Sequence, residues 1–324
     1  MVIVCDAHIP YLVEAIRKAW PGIEISPMEP EQIDAAAVRH ADVLVVRTRT
    51  KVNEALLAGS SVRLVCTATI GFDHIDTAYC DAHGILWTAC PGCNAQAVCD
   101  YIEEALNEFT NLQSSIFNLQ SPIPNPPTIG VIGVGHVGTL VAKMAERRGL
   151  KVLLNDPPKG IGISLDEIAK NCDIITFHVP LTSHPLTPNP TFHLCDAAFL
   201  ARCKPHALII NAARGGVVDE QALLCSGHPY ILDTWENEPH IDPAVLQHAF
   251  RASMHIAGYS VEGKRNASQT CLDTIARTFA LPPITLPAFP SHGDTAPGWL
   301  ARITRDLQAQ PTAFEALRRD YPLR

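Results

Sequence analysis

Thr128-Ile129-Gly130-Val131-Ile132-Gly133-Val134-Gly135-His136-Val137-Gly138 joins a β-branched run to three closely spaced glycines. Its β-branched opening reads as a buried strand from Thr128 to Val134. Val137, Leu140, Val141 and Met144 then recur at i, i+3, i+4 and i+7, the stripe of a helix that Gly149 stops. Gly133 permits a tight turn, Gly135 lets the backbone approach a pyrophosphate, and Gly138 allows close packing of helix on strand. The N–H groups of the helix's first turn face the anion.

Such a dinucleotide fingerprint is specific only in context. Here the next strand, Lys151 to Asn155, leads into Asp156, near the distance at which an acid meets the ribose. A carboxylate there accepts bonds from a free 2′-hydroxyl and repels the added phosphate of NADP, so the expected cofactor is NAD. The competing role for Asp156 is a cap on the Pro157-Pro158 turn.

Outward from the fingerprint, short β-branched runs alternate with helical patterns. Val2 to Cys5, Val43 to Arg47, Val62 to Thr67 and Ile85 to Thr88 read as strands before Cys93. Asn94 suits an N-cap, and Ala97, Val98, Tyr101, Ile102, Ala105, Leu106 and Phe109 share one face of the helix that follows. Residues 110–127, ending Pro122-Ile123-Pro124-Asn125-Pro126-Pro127, read as a surface connection. Beyond the fingerprint come a capping-box start at Ser164-Leu165-Asp166-Glu167 and strands at Asp173 to Phe177, Ala207 to Asn211 and Tyr230 to Asp233. A helix is expected from Ser268 to Phe279, before a passage rich in Pro and Gly.

The fold class expected is α/β, with two doubly wound parallel-sheet domains and a short C-terminal appendage. Residues 1–95 form a flavodoxin-like substrate-binding domain, residues 96–257 a Rossmann-type nucleotide domain, and residues 258–324 a return segment and appendage with a possible dimerisation role. The active cleft is expected between the two domains.

A chain of 324 residues exceeds what one core usually serves, in keeping with two domains. A charged fraction of 18% against 47% hydrophobic places it among ordinary globular proteins. The net charge of −8 disfavours a general nucleic-acid surface. No apolar run has the length of a membrane span, and Met1-Val2-Ile3-Val4-Cys5-Asp6 lacks a leader's basic start, so a cytoplasmic protein without a membrane partner is expected. The cysteines are scattered through regular elements, which suits reduced, buried thiols. Cys90-Pro91-Gly92-Cys93 has redox or half-zinc spacing, but no second pair completes a set, and His193-Leu194-Cys195 is the only other suggestive pair. No metal is expected.

Three residues carry chemistry. Arg214 lies in Asn211-Ala212-Ala213-Arg214-Gly215-Gly216-Val217-Val218-Asp219-Glu220, just beyond a strand's carboxyl end, and its planar fork can hold a carboxylate. Glu238 lies in Asp233-Thr234-Trp235-Glu236-Asn237-Glu238-Pro239 and His255 in Met254-His255-Ile256-Ala257-Gly258-Tyr259. An imidazole can exchange a hydroxyl proton, and a neighbouring carboxylate favours its charged form. Taken singly, Arg214 reads equally well as a surface ion pair, Glu238 as a solvated turn residue and His255 as a satisfied core histidine.

Together the order of fingerprint, Arg-Gly, Glu-Pro and His resembles the D-isomer-specific 2-hydroxyacid dehydrogenases. A closer likeness to one branch rests on Arg47-Thr48-Arg49-Thr50-Lys51-Val52-Asn53, Thr67-Ala68-Thr69-Ile70-Gly71-Phe72-Asp73-His74, Pro91-Gly92-Cys93-Asn94-Ala95 and His255-Ile256-Ala257-Gly258-Tyr259. It covers the chain from about Met1 to Asn266. The resemblance implies NAD-dependent oxidation of a small phosphorylated 2-hydroxy acid, 4-phospho-D-erythronate, to its 2-oxo acid in pyridoxal phosphate synthesis, by a homodimer. It implies that Arg214, Glu238 and His255 are catalytic and that Thr48, Thr69 and Tyr259 touch substrate. Cofactor contacts fall at Gly133, Gly135, His136, Val137, Gly138, Asp156, Val179, Ala212, Asp233 and Gly258. The chain departs from the family in a compressed stretch between Arg214 and Glu238, around Cys225-Ser226-Gly227-His228-Pro229, and in a short tail after Asn266.

Arg47, Arg49 and Lys51 alternate, so an extended segment projects them to one side, where Arg47 could meet a substrate phosphate. A basic edge strand is the alternative. Rival functions are oxidation of another acid, such as phosphoglycerate, and dinucleotide sensing by a regulator without turnover.

Overall fold

The computed structural model describes residues 1–116, 126–183, 188–290, 293 and 296–324. The connection expected at 110–127 begins later than expected, because residues 110–116 continue α5, and residues 117–125 of it lie outside the described residues. Two compact units are present: Met1–Asn94 with Tyr259–Ser291, and Ala95–Gly258 with His292–Arg324. Residues 258–324 are thus shared between the units.

The first unit alternates β1 (Val2–Asp6), α1 (Leu12–Ala19), β2 (Glu24–Met28), α2 (Ala35–Val38), β3 (Val43–Val46), α3 (Glu54–Leu57), β4 (Leu64–Thr67), α4 (Thr77–Ala82) and β5 (Leu86–Thr88). The second runs from α5 (Ala95–Ile116) through β6 (Thr128–Ile132), α6 (His136–Arg147), β7 (Lys151–Asp156) and β8 (Ile161–Gly162). It continues with α7 (Leu165–Asn171), β9 (Ile174–Phe177), α8 (Ala197–Leu200), β10 (Leu208–Asn211), α9 (Glu220–Ser226), β11 (Tyr230–Leu232), α10 (Pro243–His248) and β12 (Arg251–Ala252). Then α11 (Val261–Thr278) joins the first unit, while α12 (Trp299–Ala309) and α13 (Phe314–Arg319) join the second.

The first sheet is parallel, in the order β2-β1-β3-β4-β5. Successive strand side chains face opposite ways, so Ile3, Cys5, Val43, Val45, Leu64 and Cys66 pack with Leu12 and Ile16 of α1 and Cys271, Leu272 and Ile275 of α11. Val4, Leu44, Val46 and Val65 fill the other face with Val38, Leu56, Leu57 and Cys80. Both faces are covered, which explains why these strands read as continuous apolar runs. β2 has no such run: Glu24-Ile25-Ser26-Pro27-Met28 is a half-exposed edge strand, where proline costs no internal ladder bond.

The second sheet has the order β12-β11-β10-β9-β6-β7-β8, parallel except for β8. The connections leave β6 in one direction for β7 and return past it to β9, so the topological switch lies between β6 and β9. The residues expected on the buried face of α5, from Ala97 to Phe109, are buried. Asn94 does not cap that helix as expected, because its Oδ1 is buried without a hydrogen-bond partner among the described residues. The capping box at Ser164 and Glu167 is made in both directions. Among the described residues no helix is long and apolar enough to cross a membrane.

Candidate active site

The functional candidates of the second unit collect at one edge of its sheet. In a parallel sheet all carboxyl ends lie on one side, and ligands of open α/β sheets bind there. The glycine turn follows β6, Asp156 ends β7, Val179 follows β9, Arg214 follows β10, Glu238 follows β11 and His255 follows β12. Strands β10, β11 and β12 are neighbours.

At the turn, Gly133 takes a positive φ of 88°, and a Cβ there would meet the His178 carbonyl oxygen at 2.5 Å and Val179 Cγ1 at 2.8 Å. A Cβ on Gly138 would lie 1.9 Å from the Gly133 oxygen. Gly135 differs, since nothing lies within 4 Å of its missing side chain. It caps α6 without a side-chain bond, so the helix start faces open space with its N–H groups free of side-chain acceptors. Asp156 Oδ2 accepts the Val134 N–H at 2.8 Å, fixing the acid against the turn, and Lys159 Nζ stands 3.7 Å from that oxygen. Asp156 makes no side-chain cap on the Pro157 turn, so the capping alternative is not what the carboxylate does. An open cradle at Gly135, a bare helix start and an acid at the end of β7 fit a dinucleotide's pyrophosphate and ribose. His178, half-buried behind the glycine turn, has its pKa lowered to about 3 by desolvation and stays neutral.

His255 Nδ1 stands 2.8 Å from Glu238 Oε2, and Glu238 Oε1 accepts the Trp235 N–H at 2.9 Å. Burial pushes the Glu238 carboxyl up, but the His255 hydrogen bond and charge, the Trp235 N–H and the Arg318 guanidinium outweigh it and hold it below its usual value. Glu238 is therefore no solvated turn residue, and His255, with its side chain 31% exposed, no core histidine. Its backbone is left-handed at φ 58°. Arg214 Nη1 donates to the Ala213 oxygen at 2.8 Å, and among the described residues no carboxylate pairs with it. The turn bearing Arg214 packs on the turn bearing Glu238: a Cβ on Gly215 would lie 1.9 Å from the Trp235 oxygen.

Asp233 is 1% exposed and faces its own chain. Its carboxylate accepts bonds from Ser253 Oγ at 2.6 Å, Ile256 N–H at 2.7 Å and Ala257 N–H at 2.9 Å, and so shapes the segment that carries His255 and Gly258. His136 is exposed at the start of α6, while Val137 and Ala212 are half-buried.

In the first unit, Arg47 follows the middle strand β3 and is gripped by the buried Asp6 through two bonds, Nε to Oδ2 at 2.8 Å and Nη2 to Oδ1 at 3.1 Å. The edge-strand alternative is overturned, since β3 is central. The extended alternation of Arg47, Arg49 and Lys51 is overturned as well, because the chain turns at 48–50, with the Thr50 N–H returning to the Arg47 oxygen. Thr48 is exposed in that turn. Thr69, past β4, bonds Thr67 Oγ1 at 2.6 Å and the Gly71 oxygen at 2.9 Å. The Tyr259 ring lies under Lys264 Nζ, 4.7 Å from its centroid.

Comparison with known proteins finds relatives along the whole chain. The model of the D-isomer specific 2-hydroxyacid dehydrogenase NAD binding domain matches residues 113–257. The erythronate-4-phosphate dehydrogenase of Bacteroides fragilis is 40% identical over 347 residues, covering 100% of this chain and 97% of that protein. That of Porphyromonas gingivalis is 38% identical, covering 99% of this chain and 92% of its own. The chain belongs to the D-isomer-specific 2-hydroxyacid dehydrogenase family. The crystal structure of D-lactate dehydrogenase from Aquifex aeolicus, complexed with NAD and lactic acid, shares the fold at a TM-score of 0.66 and 24% identity, covering 86% of this chain and 96% of that one.

In this dehydrogenase several paired or buried charged residues carried no signal singled out in the sequence. Asp6 is one; an acid closing β1, an otherwise apolar strand inside the first sheet, could have marked it. Glu220 is another: burial above all, with Glu236, Asp242 and Glu238 nearby, pushes its carboxyl up to about 8 despite a bond from the Glu236 N–H. His193 was noted only beside Cys195, which is buried, whereas its ring is bracketed by carboxylates, with Nε2 at 2.9 Å from Glu236 Oε1 and Nδ1 at 3.6 Å from Asp219 Oδ2. These are metal-ligating types, and their ligand atoms all lie within 4.8 Å of one another. Cys90 Sγ donates to the Thr67 and Ala267 oxygens and stands 4.0 Å from Cys271 Sγ rather than pairing with Cys93. The neighbouring Cys271 thiol and burial push its pKa far up, so it is no nucleophile.

Proposed function

We propose that this dehydrogenase oxidises 4-phospho-D-erythronate to 2-oxo-3-hydroxy-4-phosphobutanoate with NAD, a step of pyridoxal 5′-phosphate synthesis. The observation that carries the reading is the His255–Glu238 pair at 2.8 Å, set after neighbouring strands and packed beside the turn of Arg214, in a chain 40% identical to an erythronate-4-phosphate dehydrogenase over its full length.

NAD, held by Gly133, Gly135, Gly138, Asp156 and the start of α6, supplies the hydride acceptor. His255 works through Nε2, because Nδ1 faces Glu238. Nε2 takes the proton of the C2 hydroxyl as the carbonyl forms, and Glu238 stabilises the resulting imidazolium, in the manner of a base oriented by an acid. Arg214 holds the substrate carboxylate and stabilises the developing carbonyl oxygen. Its other guanidinium N–H groups serve that task, since among the described residues only Nη1 is engaged, by the Ala213 oxygen. Asp233 acts on the cofactor side by fixing Ile256 and Ala257 rather than by an open carboxylate. Thr48, Thr69, Tyr259 and Arg47 are proposed as contacts for the rest of the substrate. Arg47 meets a phosphate only while remaining forked to Asp6, which pre-orients it and lowers its net charge. The protein is read as a cytoplasmic homodimer, with the family resemblance as support.

A substrate panel tests the reading: NADH formation with 4-phospho-D-erythronate, 3-phosphoglycerate, D-lactate and unphosphorylated erythronate, with mass spectrometry of the product. Preference for 4-phospho-D-erythronate is expected. Preference for 3-phosphoglycerate, or tight NAD binding without turnover of any acid, would replace this reading.

A further inference from the structure

His255 holds a left-handed backbone, φ 58°, which a residue with a Cβ adopts under strain and keeps only where its surroundings enforce it. The N–H side of the segment is enforced by Asp233: its oxygen takes the His255 N–H at 2.8 Å, and its carboxylate takes those of Ile256 and Ala257. The carbonyl side is enforced from elsewhere. Arg324 Nη2 donates to the Ala257 oxygen at 2.6 Å, to the Ile256 oxygen at 3.3 Å and to the Ala97 oxygen at 3.4 Å. Its Nη1 stands 3.3 Å from Tyr321 Oη.

Resting on the dehydrogenase reading above, we propose that Arg324 is a positioning residue: its guanidinium gathers the carbonyls of Ile256 and Ala257 and so fixes the angle at which His255 is presented. The contacts form a closed ring. The guanidinium lies 4.5 Å from the centroid of the buried Trp299 ring, which stands edge-on to Tyr101. Tyr101 Oη meets Ser253 Oγ at 2.8 Å, and Ser253 Oγ bonds Asp233, the residue that grips the other side of the same segment. A planar guanidinium lies flat on an indole while its edge donates to several oxygens; an ammonium offers no such plane. The backbone of Arg324 is seated too, since a Cβ on Gly293 would lie 2.5 Å from its nitrogen and 2.6 Å from its Cα. Arg318, on α13 just ahead of it, adds positive charge on the Glu238 side of the pair.

The test uses the full chain with Arg324→Ala, Arg324→Lys and Gly293→Ala. Misplacing a reacting group by about 1 Å can cost as much as 10²-fold, so Arg324→Ala is expected to lower kcat by about tenfold or more while the KM for NAD changes little. Guanidinium ion at millimolar concentration should restore part of that kcat, and Arg324→Lys should recover less than half of it. Gly293→Ala, which displaces the backbone without touching the charge, should move kcat in the same direction. Amide hydrogen exchange at Ile256 and Ala257 should quicken by about tenfold in Arg324→Ala, a local opening. Unchanged exchange at those two amides overturns the proposal whatever the kcat, and if Arg324→Ala does not fold, the same measurement on Arg324→Lys decides. Exchange needs no substrate, so a wild-type protein inert towards 4-phospho-D-erythronate would defeat the substrate reading and leave this one to be judged separately.

Discussion

His255 shows how one residue's role follows from its two ring nitrogens. With Nδ1 committed to Glu238 at 2.8 Å, Nε2 is the nitrogen left for the proposed proton transfer. His255→Ala should lower kcat by about 10²–10⁴-fold, with NADH affinity by fluorescence titration close to wild type. A kcat within threefold of wild type would remove the residue from the chemistry. Asp156 makes a second prediction at this scale. Its carboxylate excludes a 2′-phosphate, so NAD should be preferred over NADP, and Asp156→Asn, which still accepts the Val134 N–H, should narrow that preference by about tenfold or more. Equal use of both cofactors by the wild type would sink the assignment. Arg214, Glu238 and His255 could be picked out from their neighbours in sequence, because an Arg before two glycines or a Glu before a proline is a local pattern. Arg47 could be seen but not understood. Its neutralising partner, Asp6, stands 41 positions earlier, and no local pattern links the two.

At the scale of the element, the glycine turn separates two requirements that the fingerprint combines. Gly138 is demanded by the fold: its Cβ would strike a backbone oxygen at 1.9 Å, so Gly138→Ala should lower the Tm as well as NAD affinity. Gly135 has an ordinary φ of −82° and open space where its side chain would be. Gly135→Ala should leave the Tm within about a degree or two while weakening NAD binding, because the added methyl group enters the space meant for the pyrophosphate. Equal losses of Tm in both variants would show that Gly135 serves packing and not the ligand. Strands β1, β3, β4, β6, β9, β10 and β11 were legible because strands covered on both faces are largely apolar, and β5 and β7 were legible too although part of each is exposed. Edge strands β2, β8 and β12 were not, being short or polar, and acquire strand geometry only by pairing with a neighbour. Helices α12 and α13 were missed in a tail whose prolines and glycines obscured any period.

The whole molecule sets the state of Glu220. Its carboxyl has an ordinary value of 4.5 and is raised to about 8 in the folded protein. Between those values the unfolded chain has released the proton and the folded chain retains it. Stability is therefore greatest below about pH 4.5 as far as this group is concerned, falls as pH rises towards about 8, and levels off above. Denaturant titrations across that range should show the decline, on the order of a few kcal/mol, and Glu220→Gln, which cannot ionise, should flatten it. An unaltered slope in that variant would mean the carboxyl is charged at neutral pH.

By itself the sequence determined the α/β class and the strand-turn-helix of the dinucleotide fingerprint, and it marked Asp156, Arg214, Glu238 and His255 as the candidates for cofactor choice and chemistry. The elements rest on spacing within a few residues, where periodicity and turn chemistry act, and the candidates on short motifs read together. Only the tertiary structure decided that the expected return segment covers one face of the first sheet through Cys271, Leu272 and Ile275 of α11, that Asp6 neutralises Arg47, and that Arg324 reaches back 67 positions to Ala257. Those contacts join distant segments, and burial and hydrogen bonding select them only once the sheets have assembled.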